Sequence, residues 1–502
     1  MKKIYFLFCL MLCSIISYAQ IQNLSELSTG VLETSTKIYD KEQNVIGYVF
    51  IYNKGLTNQD KDVQYEYVLL DDNLNKLTNG DYTSAKHKKI SYKLTDIEFK
   101  DQKLYLTSII YHTKKLLTYG YNLKIIDLKA NKVIADKFYK EYTFSEMSEI
   151  TNFELLVPSQ ERTNNRLMTF TNNSKVYFID QLTIYTGLSA FAKGITVFNE
   201  DFSKTLDYNI NKENQKEAFS FNILSVEDDK LLIFLKNPKG TEVFKKIGAD
   251  YFKAFDLEKS QEISKAVYNS FNTNGNEYFL PNTEFIKDNL TVVGEIKLMT
   301  EGSIYKIEDK PTVGILRTVY DALGKELVNR KIYFSEVFKE LGFINGRDKN
   351  GYKFLLKEFF NYNDQSFSIL LQKQKGNNVA IAPRTTDYIL VNFDNRGILK
   401  NYQVLEKTKL KHFDSYLFSQ ENKEENEVLF FYAEEKKEEG KKEWYLIINK
   451  LKNGELTQER MPFKTDSSNL RFSKAKYGYI FISEYNKEDK ESSIRLEKLN
   501  IL

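Results

Sequence analysis

A short signal recurs along the whole chain: two apolar residues, then Asp or Asn, then a few turn-forming residues and, in several copies, a Lys. The Asp or Asn positions are Asp71, Asp127, Asn199, Asp256, Asp321, Asp394 and Asn449, so neighbouring copies lie 55 to 73 residues apart. An Asp or Asn side chain accepts hydrogen bonds from backbone N–H groups just ahead of it, and Gly or Asn tolerates the left-handed conformation in a tight turn. Each copy therefore predicts a strand, a tight turn and a second strand.

Two further strand-like runs precede each turn. Before Asp394, for example, they are Tyr352 to Phe360 and Ser366 to Gln374. The middle runs are apolar on both faces, whereas the fourth run, such as "KVIADKFYK" after Asp127, mixes in charge. Radially stacked sheets need buried middle strands and a wetter outer strand. Four strands repeating at a period of about 40 to 60 residues indicate a β-propeller.

The chain ends with three more strand-like runs, "NLRFSKAKY", "YGYIFISEYN" and "SSIRLEKLNIL". We expect the N-terminal segment around Leu24 to Thr36 to supply the missing fourth strand, because pairing the first and last segments removes an open sheet edge. The sequence thus predicts an all-β fold, a β-propeller of eight four-stranded antiparallel blades, with seven as the alternative. The ring would be closed by the N- and C-terminal strands.

Two intervals between turns are longer than the others. The interval after Asp127 contains residues 145–166, and the interval after Asp321 contains "SEVFKELG". The second predicts a short helix with Ser335 as N-cap, with Val337, Phe338 and Leu341 on its apolar side, and with Gly342 as its end. Insertions in a propeller enter loops on one of its two faces, where ligands and partners usually bind.

Residues 1–19 have the pattern of a secretory signal peptide. Lys2 and Lys3 precede an apolar stretch from Ile4 to Ile16, and Ser17-Tyr18-Ala19 is a small-x-small cleavage site before Gln20. A buried strand, an uncleaved anchor and a lipoprotein attached at Cys13 are the alternatives, although Leu12 is large for a lipid-attachment site. We expect one β-propeller domain over residues 20–502, because no Pro-rich or Gly/Ser-rich linker divides it.

The composition limits the classes of function. Both cysteines, Cys9 and Cys13, lie in the predicted signal, so the mature chain would be held by core burial and not by disulfides. The net charge of +3 falls to +1 once Lys2 and Lys3 are removed, and so predicts no nucleic-acid partner. No later apolar run is long enough to span a membrane. The charged run Glu434 to Glu443, "EEKKEEGKKE", predicts a solvated loop between two strands.

Searches for metal and cofactor motifs give no site. The three histidines, His87, His112 and His412, are not paired at metal spacing, and no cysteine remains in the mature chain. Asp71, Asn73 and Asn75 begin like a calcium loop, but Lys76 and Tyr82 stand where that loop needs Gly and Glu. We therefore predict no metal site and no cofactor site.

Searches for catalytic motifs end the same way. Ser303 and Lys306 fit S-x-x-K, but in a strand they would point to opposite sides of the sheet. Trp444, the single tryptophan, is expected in core or rim packing and not as a sugar platform. A pair of catalytic carboxylates cannot be chosen among 69 acidic residues without a fold. The catalytic residues, if the protein has any, stay unknown at this stage.

The Asp-x-x-Gly-Lys turn from Asp321 to Lys325, with echoes at Asp127 and Asp394, resembles the repeat of eight-bladed quinoprotein-like propellers. The Thr before the Gly and the Trp that docks each blade in that family are missing, so the resemblance implies neither cofactor nor activity. The whole chain, with its signal and its composition, looks like the uncharacterised exported propeller proteins of gram-negative bacteria.

The expected function is that of an exported, non-enzymatic binding or scaffold protein, monomeric, in the periplasm or on the cell surface. It would bind a protein or glycan partner through its propeller-face loops. The alternative is a hydrolase or lyase acting on an envelope or extracellular polymer, with acids in the central channel. A quinone-dependent enzyme would need a Trp-floored cavity, and one tryptophan is too few.

Overall fold

The computed structural model describes residues 21–40, 44–57, 62–85, 90–112, 118–139, 168–172, 175–183, 190–199, 204–209, 220–227, 230–236, 250–268, 277–287, 291–298, 310–321, 325–375, 384–406, 416–438, 441–463, 469–486 and 491–500. The helices within these ranges are short: α1 (Leu24–Leu27), α2 (Phe334–Val337) and a 3₁₀ turn (Lys339–Leu341). All the other regular elements in the described ranges are strands. The fold is therefore all-β, as predicted.

The described strands form eight four-stranded antiparallel sheets, numbered here in chain order. The first four sheets contain β2 (Val31–Tyr39), β3 (Val45–Leu56), β4 (Asp62–Asp71) and β5 (Lys76–Ala85); β6 (Ile90–Lys100), β7 (Lys103–His112), β8 (Thr118–Asp127) and β9 (Lys132–Tyr139); β10 (Met168–Asn172), β11 (Lys175–Thr183), β12 (Ala190–Asn199) and β13 (Lys204–Asn209); β14 (Ser220–Glu227), β15 (Lys230–Lys236), β16 (Asp250–Asp256) and β17 (Gln261–Tyr268). The fifth to seventh contain β18 (Glu277–Lys287), β19 (Thr291–Leu298), β20 (Thr312–Tyr320) and β21 (Glu326–Tyr333); β22 (Lys353–Asn361), β23 (Phe367–Lys375), β24 (Arg384–Phe393) and β25 (Leu399–Leu405); β26 (Tyr416–Asn422), β27 (Glu427–Glu438), β28 (Lys441–Lys452) and β29 (Glu455–Phe463). The eighth contains β30 (Asn469–Lys474), β31 (Tyr479–Asn486), β32 (Glu491–Lys498) and β1 (Ile21–Asn23).

Burial within a sheet follows strand order, as the sequence predicted. In the fifth sheet the third strand, β20, is buried along almost its whole length, whereas the fourth strand, β21, exposes six consecutive residues. The second strand of the sixth sheet, β23, is also buried on both faces. The fourth strand is thus the wet outer edge, because it has no neighbouring strand on one side.

Neighbouring sheets pack face to face through shared apolar clusters. One such cluster lies between the first and second sheets, and another lies between the eighth and first sheets. From the third sheet to the eighth, a cluster lies between every two neighbouring sheets. The second and third sheets contact each other through their first strands, β6 and β10. First strands also lie side by side between the first and second sheets (β2 and β6) and between the seventh and eighth sheets (β26 and β30). First strands are therefore the inner strands, and the sheets are the blades of a β-propeller of four-stranded antiparallel blades.

The fourth strand of the eighth sheet comes from the N-terminal segment, but not from the predicted residues. Ile21, Gln22 and Asn23 pair with Arg495, Ile494 and Ser493. The placement around Leu24 to Thr36 is wrong because Asn23 ends the strand: its side-chain oxygen accepts from the N–H of Ser25 and begins α1. Leu24 and Leu27 then enter the core between the eighth and first sheets, and Val31–Tyr39 becomes an inner strand.

The predicted tight turns are confirmed at Asp71, Asp127, Asp256, Asp321 and Asp394, where the carboxylate accepts from backbone N–H groups ahead of it. After Asn449 the predicted turn at Asn453-Gly454 is also present, but the role of Asn449 as turn former is wrong. That residue lies inside β28, fully buried, and the turn is the two-residue Asn453-Gly454 with φ angles of 53° and 83°. The Nδ2 of Asn449 donates to the carbonyl of Phe430, and its Oδ1 accepts from Gln458, so it is a core residue.

Two other local predictions need correction. Most of the charged run from Glu434 to Glu443 is not a loop, because β27 continues to Glu438 and β28 begins at Lys441. The two strands pair residue by residue up to Glu438 and Lys441, so the run is part of a long hairpin. The predicted short helix exists and ends at Gly342, which is left-handed at φ 60°. However, its N-cap is Tyr333 and not Ser335, and the helix changes to a 3₁₀ turn after Val337.

Candidate functional site

The two ends of the strands carry different connections. At one end, the first strand turns into the second and the third into the fourth through short turns; we call this end the tight-turn face. At the other end, the second strand leads to the third and the fourth leads to the next sheet; we call this end the long-connection face. The predicted insertion after β21 follows a fourth strand and so enters the long-connection face. The first predicted insertion, residues 145–166, lies outside the described residues.

The second insertion, Phe334 to Tyr352, links the fifth and sixth sheets and has an aromatic core of its own. Phe338 packs edge-on against Phe354 at 5.0 Å between ring centroids, and Phe343 packs against Phe354 at 4.8 Å. Phe334 lies 5.5 Å from Phe338, and all four rings are buried. Aromatic pairs at these distances stabilise beyond the area that they bury. The insertion is therefore a packed part of the blade.

Asp348 ties the end of the insertion to the sixth sheet. Its Oδ1 accepts from the N–H groups of Asn350 and Tyr352 at 2.9 Å each. Its other oxygen lies 3.4 Å from the ammonium of Lys373 in β23, which also lies 3.4 Å from Asp387 in β24. The Asp348 side chain is only 3% exposed, so its charge depends on these partners. The contacts fix the geometry of the turn.

The tip of the insertion is a tight hairpin. Ile344 and Arg347 form a bridge around Asn345 and Gly346, whose φ angles are 51° and 78°. Gly346 has no room for a side chain, since an added Cβ would lie 2.4 Å from the Cβ of Pro311. Ile344 is 69% exposed at this tip. The hairpin thus presents an apolar side chain on a rigid base.

A second group of polar residues lies on the inner strands. The phenol of Tyr416 in β26 donates to the Oε2 of Glu358 in β22 at 2.7 Å, and the hydroxyl of Ser419 donates to the same oxygen at 3.3 Å. Burial, followed by the charge of Glu358, raises the pKa of Tyr416 well above its ordinary value. The phenol is therefore held protonated, as a hydrogen-bond donor.

The tight-turn face has a structural role. The hydrogen bond from Ile398 N–H, followed by contacts from Arg396, holds the pKa of Asp394 below its ordinary value. At Asp71, the side chain of Asn75 and the N–H groups of Asn73 and Asn75 lower the carboxyl pKa despite the opposing effect of partial burial. The oxygens that a calcium loop would offer at Asp71 are engaged in the turn itself, so that motif is explained without an ion.

The other residues considered from the sequence are not brought together. His87, His412, Ser303 and Lys306 lie outside the described residues. His112 is the last residue of β7. Trp444 lies in β28, where it is in register with Phe463 of β29. In the part of the chain that the structure describes, no group of three or more His, Cys, Asp or Glu residues could hold a metal ion. No helix there is long and apolar enough to cross a membrane.

Several notable residues had no signal in the sequence. Lys37, Arg317 and Glu358 are ordinary charged residues within apolar strands, and the pairing Glu358–Tyr416 joins residues 58 positions apart. These residues become notable only once the packing of neighbouring sheets is known. Glu358 within the apolar run "YKFLLKEFF" is the one weak hint that the sequence offers.

Comparison with known proteins identifies no activity. Residues 390–500 match a family of unknown function (DUF6770), a range that begins within β24 and extends past the end of β32. No curated protein matches the chain.

Solved structures that are similar to the chain include one that is described as a β-propeller domain. The β-propeller domain of the Trilobed protease from Pyrococcus furiosus is 14% identical, with a TM-score of 0.33, over 83% of this chain and 97% of that one. A structure of prolyl endopeptidases is 8% identical, with a TM-score of 0.35, over 91% of this chain and 54% of that one. The NanB sialidase of Streptococcus pneumoniae is 9% identical, with a TM-score of 0.29, over 96% of this chain and 70% of that one. At these scores the likenesses carry no argument about activity.

Proposed function

We propose that the protein is an exported, non-enzymatic binding or scaffold protein of the cell envelope that engages its partner with the long-connection face. The observation that carries this proposal is the insertion from Phe334 to Tyr352. Its buried phenylalanines and Asp348 hold a hairpin tip in one conformation, with Ile344 exposed at its end. A surface that is ordered before binding loses less conformational entropy when a partner docks.

The scaffold that we propose is one closed ring of eight blades. The eight described sheets and the packing of the eighth sheet on the first support this count. Pairing of β1 with β32 would fasten the ring, with Leu24 and Leu27 holding the strand against the core. Such a ring removes the open edges of a linear array. It also gives the insertion a rigid base.

Export rests on the signal-peptide pattern over residues 1–19. Cleavage after Ala19 would leave Gln20 followed directly by β1, so the mature chain would keep the closing strand. The partner that we propose is a protein or glycan of the periplasm or the cell surface. Sequencing of the N-terminus of the exported protein tests the first step, and a mature chain beginning beyond Asn23 would contradict it.

The hydrolase or lyase alternative receives less support. A general acid at neutral pH needs a carboxyl group whose pKa is raised. In the described part of the chain, the carboxyl groups with clearly shifted pKa values are all lowered; they are Asp71, Asp256, Asp364, Asp394 and Glu425. Four of the five are bound by N–H groups of their own turns and the fifth pairs with Lys452, so their chemistry is structural.

Site-specific photocrosslinking in envelope preparations tests the proposal. A crosslinker replacing Ile344 lies on the long-connection face, and one replacing Asn395 is equally solvent-exposed on the tight-turn face. We expect a discrete adduct from position 344 and none from position 395. The substitution Glu336→Lys on the same insertion should reduce the yield of the adduct from position 344. Protease or glycosidase treatment of the adduct distinguishes a protein from a glycan partner. Equal adducts from both positions, or none from 344, would refute binding at this face.

A further inference from the structure

Two cations meet where the eighth sheet packs on the first. Lys37 lies in the inner strand β2, and Lys474 lies at the end of β30, the inner strand of the eighth sheet. Burial, followed by the charge of Lys474, lowers the pKa of Lys37 to about 8. Lys37 is therefore a partly buried ammonium close to another positive charge.

No described carboxylate compensates the charge of Lys37. Its Nζ instead lies 5.7 Å from the ring centroid of Phe481 in β31, a contact that stabilises a cation only modestly. The nearby acid on the tight-turn face is Asp72, and its Oδ2 is bound by Lys476 at 3.3 Å. Asp40, three residues after Lys37, is held by the backbone and side chain of Asn44. The ammonium of Lys37 thus lacks a negative partner in the described part of the chain.

A buried hydroxyl group faces the same place. Tyr48 is directly opposite Lys37 in the β2–β3 pair, so their side chains leave the same face of the sheet. Its ring stacks on Phe481 at 4.9 Å, and its hydroxyl is buried with no hydrogen-bond partner in the described part of the chain. A buried hydroxyl without an acceptor disfavours folding. We call Lys37, Lys474, Tyr48 and Phe481 the seam cluster; in it, the Lys37 ammonium and the Tyr48 hydroxyl are donors without an acceptor among the described residues.

We propose that the seam cluster binds an oxyanion, the carboxylate, sulfate or phosphate group of a small ligand, with Lys37 and Tyr48 as donors and Lys474 adding positive potential. An oxyanion supplies what both groups need: negative charge for the ammonium and an acceptor for the phenol. The seam cluster lies near the tight-turn face, away from Ile344, so this proposal is independent of the partner proposed above.

The test is the pH 8 reductive methylation of lysines in the full mature protein, followed residue by residue by mass spectrometry. Only a neutral amine reacts, and an anion bound at Lys37 raises its pKa. We expect sulfate, phosphate or acetate, compared with chloride at matched ionic strength, to slow methylation of Lys37 about fivefold for a pKa rise of about one unit, because Lys37 is about half neutral at pH 8 without the anion. The three anions distinguish the kind of ligand group. Lys93, exposed on the neighbouring inner strand β6, should show no change.

Two variants make the outcome decisive. Tyr48→Phe keeps the stacking on Phe481, removes the unpartnered hydroxyl and should fold, but it should weaken the anion effect on Lys37. Lys37→Met should abolish the increase in Tm that the anion causes, whereas Lys93→Met should keep it. A Lys37 methylation rate unaffected by all three anions, or an equal Tm increase in Lys37→Met, would overturn the proposal.

Discussion

The hydroxyl of Tyr416 lies 2.7 Å from the Oε2 of Glu358, and this hydrogen bond joins the inner strands of the sixth and seventh sheets. We expect Tyr416→Phe to lower the free energy of unfolding by about 1–3 kcal/mol, because the carboxylate loses a donor in a partly buried position. Urea denaturation measures the change. Tyr352→Phe, which keeps the ring beneath Lys373, should change stability by less than about 0.5 kcal/mol. Equal effects of the two substitutions would contradict the assignment.

Alkaline pH should destabilise the protein through its buried tyrosines. Burial is the largest cause that raises the phenol pKa of Tyr48, Tyr52, Tyr65, Tyr67, Tyr82, Tyr362, Tyr416, Tyr432 and Tyr477. An unfolded tyrosine loses its proton near pH 10, before the folded one, so this stability is complete below about pH 10 and is lost above it. We expect the tyrosinate absorbance to rise together with unfolding. Ionisation of all the tyrosines in a chain that is still folded would be the contrary result.

The Asp turns should make the protein sensitive to acid. Asp394 has a lowered pKa, so the stability from its charge is present above the unfolded pKa near 4 and is lost as the pH falls through the folded value. Asp394→Asn keeps an acceptor for the N–H groups of Arg396 and Ile398 but loses the charge, and Asp394→Ala loses both. At neutral pH the midpoint of urea denaturation should be highest for the native protein, lower for Asp394→Asn and lowest for Asp394→Ala. At acid pH the native protein and the Asn variant should converge; a constant gap would refute the charge effect.

Arg317 should be replaceable by an apolar residue. Its guanidinium lies 5.0 Å from the Phe367 ring centroid and 3.5 Å from the Oδ1 of Asn361, with no carboxylate partner among the described residues. Its Nε has no hydrogen-bond partner there, and burial lowers its pKa. We expect Arg317→Met to raise the free energy of unfolding by about 1–4 kcal/mol, since the buried charge is removed.

The matched control for that substitution is Arg330→Met. Arg330 is directly opposite Arg317 in the fifth sheet but is exposed on the outer strand β21. Its replacement should change stability by less than about 0.5 kcal/mol. A loss of stability in Arg317→Met alone would show that an anion compensates the charge of Arg317.

Removal of the closing strand should destabilise the last sheet. A chain that begins at Ser28 loses β1 and the buried side chains of Leu24 and Leu27, and it leaves the edge of β32 unpaired. Loss of each buried leucine costs about 2–5 kcal/mol, and an open edge promotes aggregation. Thermal denaturation and light scattering, compared with a chain that begins at Gln20, measure both effects. Unchanged Tm and solubility would contradict a closing role for β1.

The sequence by itself determined the strands and most of the turns. At Asp71, Asp321 and Asp394 the hydrogen bonds run from backbone groups within four residues of the carboxylate, so the local sequence is enough to specify them. Burial of β20 and exposure of β21 follow equally from their composition. Gly342 ended the helical turn as predicted because only its own backbone conformation matters there.

Tertiary structure decided the features that depend on distant partners. Asn449 has the sequence context of a turn residue, yet hydrogen bonds from Gln458 and to Phe430 place it in the core. The fourth strand of the eighth sheet is Ile21–Asn23 because β32, more than 450 residues later, provides its pairing partners. Lys37, Tyr48 and Phe481 form one cluster only because the last sheet packs on the first. Local hydrogen bonds are determined by residues that are close in the sequence, whereas charge balance and burial depend on which sheets pack together.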